Sequence, residues 1–145
     1  MATPIITEKD VRVFLMDKPE MNPLLGGLKF DSQDIEQAMI NVVDHFNASI
    51  PLTVNYTVEN FPSRYIMLIG VAGYLLKSAA VNEAINQFDY SVEGVTVQDK
   101  NKAAIFTQLG TAFWDEFKEL SKNIKIAQQV NSIYGTFHSE YNWTL

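Results

Sequence analysis

The segment that most constrains the fold is Asn86–Leu120, NQFDYSVEGVTVQDKNKAAIFTQLGTAFWDEFKEL, because its apolar periodicity changes twice. A long apolar run ends where the segment begins. Phe88, Tyr90 and Val92 then alternate with Asp89 and Ser91, and after Glu93-Gly94 the residues Val95 and Val97 alternate with Thr96 and Gln98. A period of two marks half-buried strands, and Gly94 supplies the positive φ that a short turn requires. From Asp99, a good N-cap, the helical period takes over: Ala103, Ile105, Phe106, Leu109, Phe113, Phe117 and Leu120 form one stripe. The segment predicts a helix, a β-hairpin at about 87–98, then a second helix. A two-stranded ribbon is marginal alone in water, so this one must lean on helices or on a ribbon from another copy.

Upstream, the sequence predicts three more helices. Thr7 and Asp10 resemble a helix start, with Val11, Phe14 and Leu15 on one face and Pro19 beyond the end. Lys18–Phe30 holds Pro19, Pro23 and Gly26-Gly27 and reads as a loop, although Leu24, Leu25 and Leu28 need somewhere to dock. Asp31 and Asp34 open a helix over Ser32–Asn47, whose buried stripe is Ile35, Ala38, Met39, Val42 and Phe46 and which Pro51 stops. Ser49–Pro62 alternates loosely through Leu52, Val54, Tyr56 and Val58 and is expected to be extended or an edge strand. Ser63 caps a third helix, about Ser63–Gln87, that is apolar on nearly all sides and therefore central or sandwiched. Within it Gly70 and Gly73 each cost about 1 kcal/mol relative to alanine. Close approach of another backbone explains them, from this chain or from a second subunit.

The last stretch, Gln128–Leu145, mixes Ile133, Tyr134, Phe137, Tyr141 and Trp143 with Asn, Ser, Gly and Thr. It is too aromatic for a solvated tail, and the expectation is an extended C-terminal arm that packs on something. The whole reads as mainly α: a small helical bundle over residues 1–127 with one β-hairpin, and an arm over 128–145. With 145 residues, 47% of them apolar and 19% charged, one ordered domain with a real core is expected.

Composition and motifs exclude more than they suggest. A net charge of −6 argues against a general phosphate-binding surface. The basic residues are scattered, with a loose grouping at Lys118, Lys122 and Lys125. The absence of cysteine excludes disulfides, thiol chemistry and cysteine metal sites, and fits a reducing compartment. The N-terminus lacks the pattern of a signal peptide, and the apolar window Tyr65–Val81, broken by Lys77 and Ser78, reads as a buried helix rather than a membrane span. His45 and His138 are the only histidines, and neither has a partner at metal-ligand or catalytic spacing. Asp115, Glu116 and Glu119 read as a solvated helix face, with Lys118 and Lys122 in reach of Asp115 and Glu119. Gly26-Gly27 and Gly70-x-x-Gly73 match no nucleotide-binding fingerprint, and no nucleophile elbow is present. The chain is not expected to be an enzyme, and no cofactor, catalytic residue or metal site is assigned.

Gly70–Ala80 (GVAGYLLKSAA), Asn86–Lys102 (NQFDYSVEGVTVQDKNK) and the aromatic helix through Phe113-Trp114 resemble runs in the head–tail adaptor (connector, neck) proteins of tailed bacteriophages. About half the chain carries the resemblance, as texture rather than as an invariant motif. It implies a ring of copies, commonly a dodecamer, docked under the portal protein and joined to a tail or neck protein. DNA would pass through as cargo, no membrane would be involved, and assembly would occur in the host cytoplasm before the protein takes its place in the virion neck. The interface residues expected on this reading are Phe88, Tyr90, Val92, Val95 and Val97 of the hairpin and Tyr134, Phe137, Tyr141 and Trp143 of the arm. For the hairpin set, ordinary core packing is an equally good explanation. The alternative is a free-standing helical protein-binding module or scaffold that uses a groove beside the third helix. A tail-terminator or other neck-ring protein would be richer in strand.

Overall fold

The computed structural model describes residues 2–22, 27–86, 90–92, 94–97 and 100–134. Four α-helices dominate: α1 (Glu8–Leu15), α2 (Ser32–Ala48), α3 (Arg64–Ile85) and α4 (Lys100–Tyr134). A single 3-10 turn, Pro19–Met21, follows α1, and two three-residue strands, β1 (Tyr90–Val92) and β2 (Val95–Val97), lie between α3 and α4. The strands pair antiparallel, with Tyr90 opposite Val97 and Val92 opposite Val95, and Gly94 has a φ of 82°.

Local chemistry sets the helix starts. Thr7 and Asp10 form a reciprocal capping box at α1, Asp31 caps α2 by accepting from the Ser32 N–H, and Ser63 caps α3 by accepting from the Ile66 N–H. Each cap satisfies donors that the first helical turn leaves open. The expected stripe of α2 is buried throughout, from Ile35 to Phe46, and Val43 joins it.

Helix α3 is the centre of the molecule, packed by α1, α2 and α4. Ile66, Met67, Ile69, Val71, Ala72, Leu75 and Leu76 are all buried. By length and composition α3 could cross a membrane, but 61% of its apolar window is covered inside the protein.

The neighbour that Gly70 and Gly73 make room for belongs to the same chain. A Cβ on Gly73 would lie 2.9 Å from the Trp114 backbone nitrogen and 3.2 Å from the Gly110 carbonyl oxygen. One on Gly110 would lie 3.0 Å from the Lys77 nitrogen. The two backbones therefore touch, α3 running antiparallel to α4, and glycine is the residue that allows it. Gly70 makes space for the ring of Phe117, which is fully buried and contributes about 2–3 kcal/mol of apolar burial.

Contact through Gly110 also fixes the rotation of α4. Phe106, Phe113, Trp114, Phe117 and Ile124 turn inward, whereas Ile105 and Leu109, expected in the buried stripe, are exposed. The helix outlasts its expected end as well. Gln128–Tyr134, read as the start of an extended arm, is helical, so the boundary drawn between 127 and 128 falls inside α4. No glycine or proline falls between Gly110 and Gly135, and Gln128 still bonds the linker between α2 and α3. The rest of the expected arm, 135–145, lies outside the described residues, as do Leu24, Leu25 and the Asp99 cap.

Two irregular segments are held by specific bonds. Asp17, only 4% exposed, accepts from Arg12 (2.7 Å), the Asn22 side chain (2.7 Å) and the backbone N–H groups of Lys29 (2.6 Å) and Phe30 (3.1 Å). One carboxylate thus closes the loop expected over Lys18–Phe30. The α2–α3 linker, Ser49–Pro62, contains no strand. It is pinned by Tyr56 and Phe61 packing edge-on to Phe46 and by Asn47, whose side chain bonds both backbone groups of Tyr56.

Candidate functional site

The surface that best fits a binding role lies where the α2–α3 linker meets the last turns of α4. Lys125 builds it. This side chain is fully buried, and its ammonium donates to the carbonyls of Phe46 and Ser49 and to the Ser49 hydroxyl while lying over the Phe46 ring. Those carbonyls belong to the end of α2, where orphan acceptors and the negative end of the dipole collect. A charged cap on such a terminus is favourable, but burial opposes the charge and holds the Lys125 pKa below its ordinary value.

Beyond this cap, the Gln128 amide donates to the Tyr56 hydroxyl (2.8 Å) and Gln129 donates to the Leu52 carbonyl (3.1 Å). The linker is therefore held against α4 by polar bonds that leave Leu52 and Val54 outside. Leu52 is 68% exposed, Val54 74% and Ile133 75%. With Thr53, Tyr56, Gln128, Gln129 and Ser132 they line a groove of about 550 Å³. Ile50, before the cis Ile50–Pro51 bond, is also exposed. Aliphatic side chains gathered around a groove and rimmed by amides form a surface suited to a protein partner.

A second exposed aliphatic set sits near the other end of the α3–α4 pair: Val81 and Ile85 from α3, Ile105 and Leu109 from α4. The β-ribbon joins the helices at this end. Of the residues assigned to the hairpin interface, Tyr90, Val92, Val95 and Val97 are placed by backbone pairing, and Phe88 lies outside the described residues. Tyr134 is the last residue of α4, and Phe137, Tyr141 and Trp143 lie outside the described residues. The linker groove is lined by other residues, Leu52, Val54 and Ile133 among them.

Sequence reasoning missed Leu52, Val54 and Lys125. The alternation of Leu52 and Val54 with Thr53 and Asn55 was visible, but nothing local says which neighbour it faces. Lys125 had a readable signal: it lies two helical steps of four beyond Phe117, through the equally buried Ser121.

Carboxylates of α4 have close partners. Asp115 pairs with Lys118 at 3.2 Å, and Glu116 accepts from the Tyr65 hydroxyl at 3.0 Å. His45 stacks edge-on to Trp114, and burial together with Lys118, Lys125 and Lys77 holds its pKa below the ordinary range. Among the described residues no group of three His, Asp or Glu side chains is placed to hold a metal ion. No protein-family model matches this chain, and neither a curated protein nor a solved structure matches it significantly.

Proposed function

We propose that this chain is a non-enzymatic assembly subunit, and specifically a head–tail adaptor of a tailed-phage virion that forms a ring between portal and tail around the passing DNA. The observation that carries this reading is the distribution of apolar surface. The core is filled from within one chain, yet Leu52, Val54 and Ile133 remain exposed around one groove. A self-sufficient core with aliphatic surface left over is what a subunit that docks on others requires. The hairpin, Phe88 to Val97, and the residues after Tyr134 are the further contacts assigned to neighbouring subunits.

The experiment is the native mass by light scattering, alone and with candidate portal and tail proteins. A discrete ring, or a monomer that becomes one on a portal, supports the reading. A monomer indifferent to every virion protein rejects it. Truncation after Tyr134 refines the test: on this reading the shortened chain melts normally and fails to assemble.

The second reading, a free-standing binding module, is favoured by one feature. A cleft of about 410 Å³ between α2 and α3 is lined by Phe30, Asp34, Gln37, Tyr74, Ser78 and Asn82, among others. Peptide binding there by a chain that stays monomeric with all virion proteins would select it.

A further inference from the structure

We infer that the cleft between the end of α2 and the middle of α4 is a binding site for a phosphate-class oxyanion. Its lining is His45, Ser49, Ile50, Lys118, Ser121 and Lys122, around a volume of about 320 Å³. No carboxylate lines it, on a chain whose net charge is −6.

Three features point to a ligand rather than to a solvated basic patch. First, Ser121 is 3% exposed and its hydroxyl has no hydrogen-bond partner. A buried hydroxyl without a partner costs about 1–3 kcal/mol, and helical serines ordinarily avoid this by bonding back to the preceding turn. Second, Lys122 has no ion-pair partner among the described residues, and Lys118 holds only the exposed Asp115. Third, the negative end of the α2 dipole, which would repel an anion, is already covered by Lys125 through its bonds to Phe46 and Ser49. One hydroxyl donor and two ammonium groups around a small concavity suit the tetrahedral array of acceptors on a phosphate.

The titratable groups lining the cleft are His45 of α2 and Lys118 and Lys122 of α4. Close to these, Asp115 pairs with Lys118, and Lys77 of α3 and Lys125 of α4 act on His45. Burial first, and then Lys118, Lys125 and Lys77, hold the His45 pKa below its ordinary value. The same oxyanion chemistry is offered by free phosphate and by a nucleic-acid backbone, and the two are separable by experiment.

The test is titration of the full chain with inorganic phosphate, replacing chloride at constant ionic strength, while the imidazole proton resonances of His45 are followed. A saturable shift is expected, with a dissociation constant on the order of 1 mM, and the His45 pKa should rise in the complex. Ser121→Ala should weaken binding several-fold without lowering the melting temperature, because the hydroxyl it removes has no partner. Lys122→Ala, at an exposed position, should weaken binding by a similar factor. If a short DNA duplex displaces phosphate, the site serves a nucleic-acid backbone; if phosphate binds and the duplex does not compete, it serves the free ion. A response that does not saturate, or one unchanged by both substitutions, overturns the inference.

Discussion

The ammonium nitrogen of Lys125 lies 2.7 Å from the carbonyl oxygen of Ser49 and 4.6 Å from the centre of the Phe46 ring, so a side chain from α4 closes the end of α2. Few single residues here join as much. Lys125 satisfies the end of α2 and anchors the start of the linker at Ser49.

Replacing Lys125 should therefore be costly. Lys125→Ala removes the cap and opens a void, and should destabilise by about 3 kcal/mol. Lys125→Met retains most of the stem and should cost about half as much. Urea unfolding measures both. The pH dependence has a defined sign. Because burial lowers the folded pKa of Lys125, the unfolded chain holds more protons between that value and the ordinary lysine value near 10.4. Wild-type stability should accordingly rise relative to Lys125→Met as pH climbs through this window.

The glycine contact makes a sharper claim. Gly73→Ala gains about 1 kcal/mol of helix propensity, yet its Cβ would sit 2.9 Å from a backbone nitrogen that cannot rotate away. Overpacking of this kind costs about 1–3 kcal/mol or more. The net change should be destabilising, and Gly110→Ala should behave alike. Gly27→Ala, with nothing within 4 Å of the added carbon, should be neutral or slightly stabilising. Thermal melting of the three variants separates the cases.

His45 should give the protein an acid-sensitive term. Its folded pKa is depressed, first by burial and then by Lys118, Lys125 and Lys77, so the unfolded chain takes up the proton first. The contribution is fully present above the ordinary histidine value near 6.5 and is lost as pH falls through the lower folded value. The difference in unfolding free energy between wild type and His45→Gln, followed from about pH 7.5 to about pH 5, should shrink with acidification.

Leu52→Asp combined with Val54→Asp tests the groove. Both side chains are exposed, so melting should change by no more than about 0.5 kcal/mol per site. If the proposed adaptor role holds, assembly with virion partners, followed by light scattering, should be lost. Normal assembly by a normally folded variant would remove the groove from the interface.

What the sequence made legible follows from the range of the forces involved. Thr7 with Asp10, Asp31 and Ser63 act within one turn, and all three caps were readable. The stripe from Ile35 to Phe46 was readable because periodicity reports burial along a single helix. Gly70 and Gly73 announced a close neighbour but not its identity, since Gly110 lies far along the chain. Ile105 and Leu109 were misplaced for the same reason: the apolar period of α4 is broad, and only contact through Gly110 selects which part turns inward. The end of α4 was misread because Asn131 and Ser132 look like loop residues when the linker bonds of Gln128 and Gln129 are unknown. Of the groove, the alternation of Leu52 and Val54 was visible, but its polar fastening to α4 was not.

The backbone contact between α3 and α4 has a mechanical consequence. Helix α4 runs 35 residues, and at about 1.5 Å per residue it spans roughly 50 Å. Clasped along its first half by α3 and pinned further on by Lys125, it behaves as a stiff strut rather than a tether. The linker groove lies at one end and the β-ribbon at the other. Two points gripped at its two ends would be held at a separation set by the length of one helix.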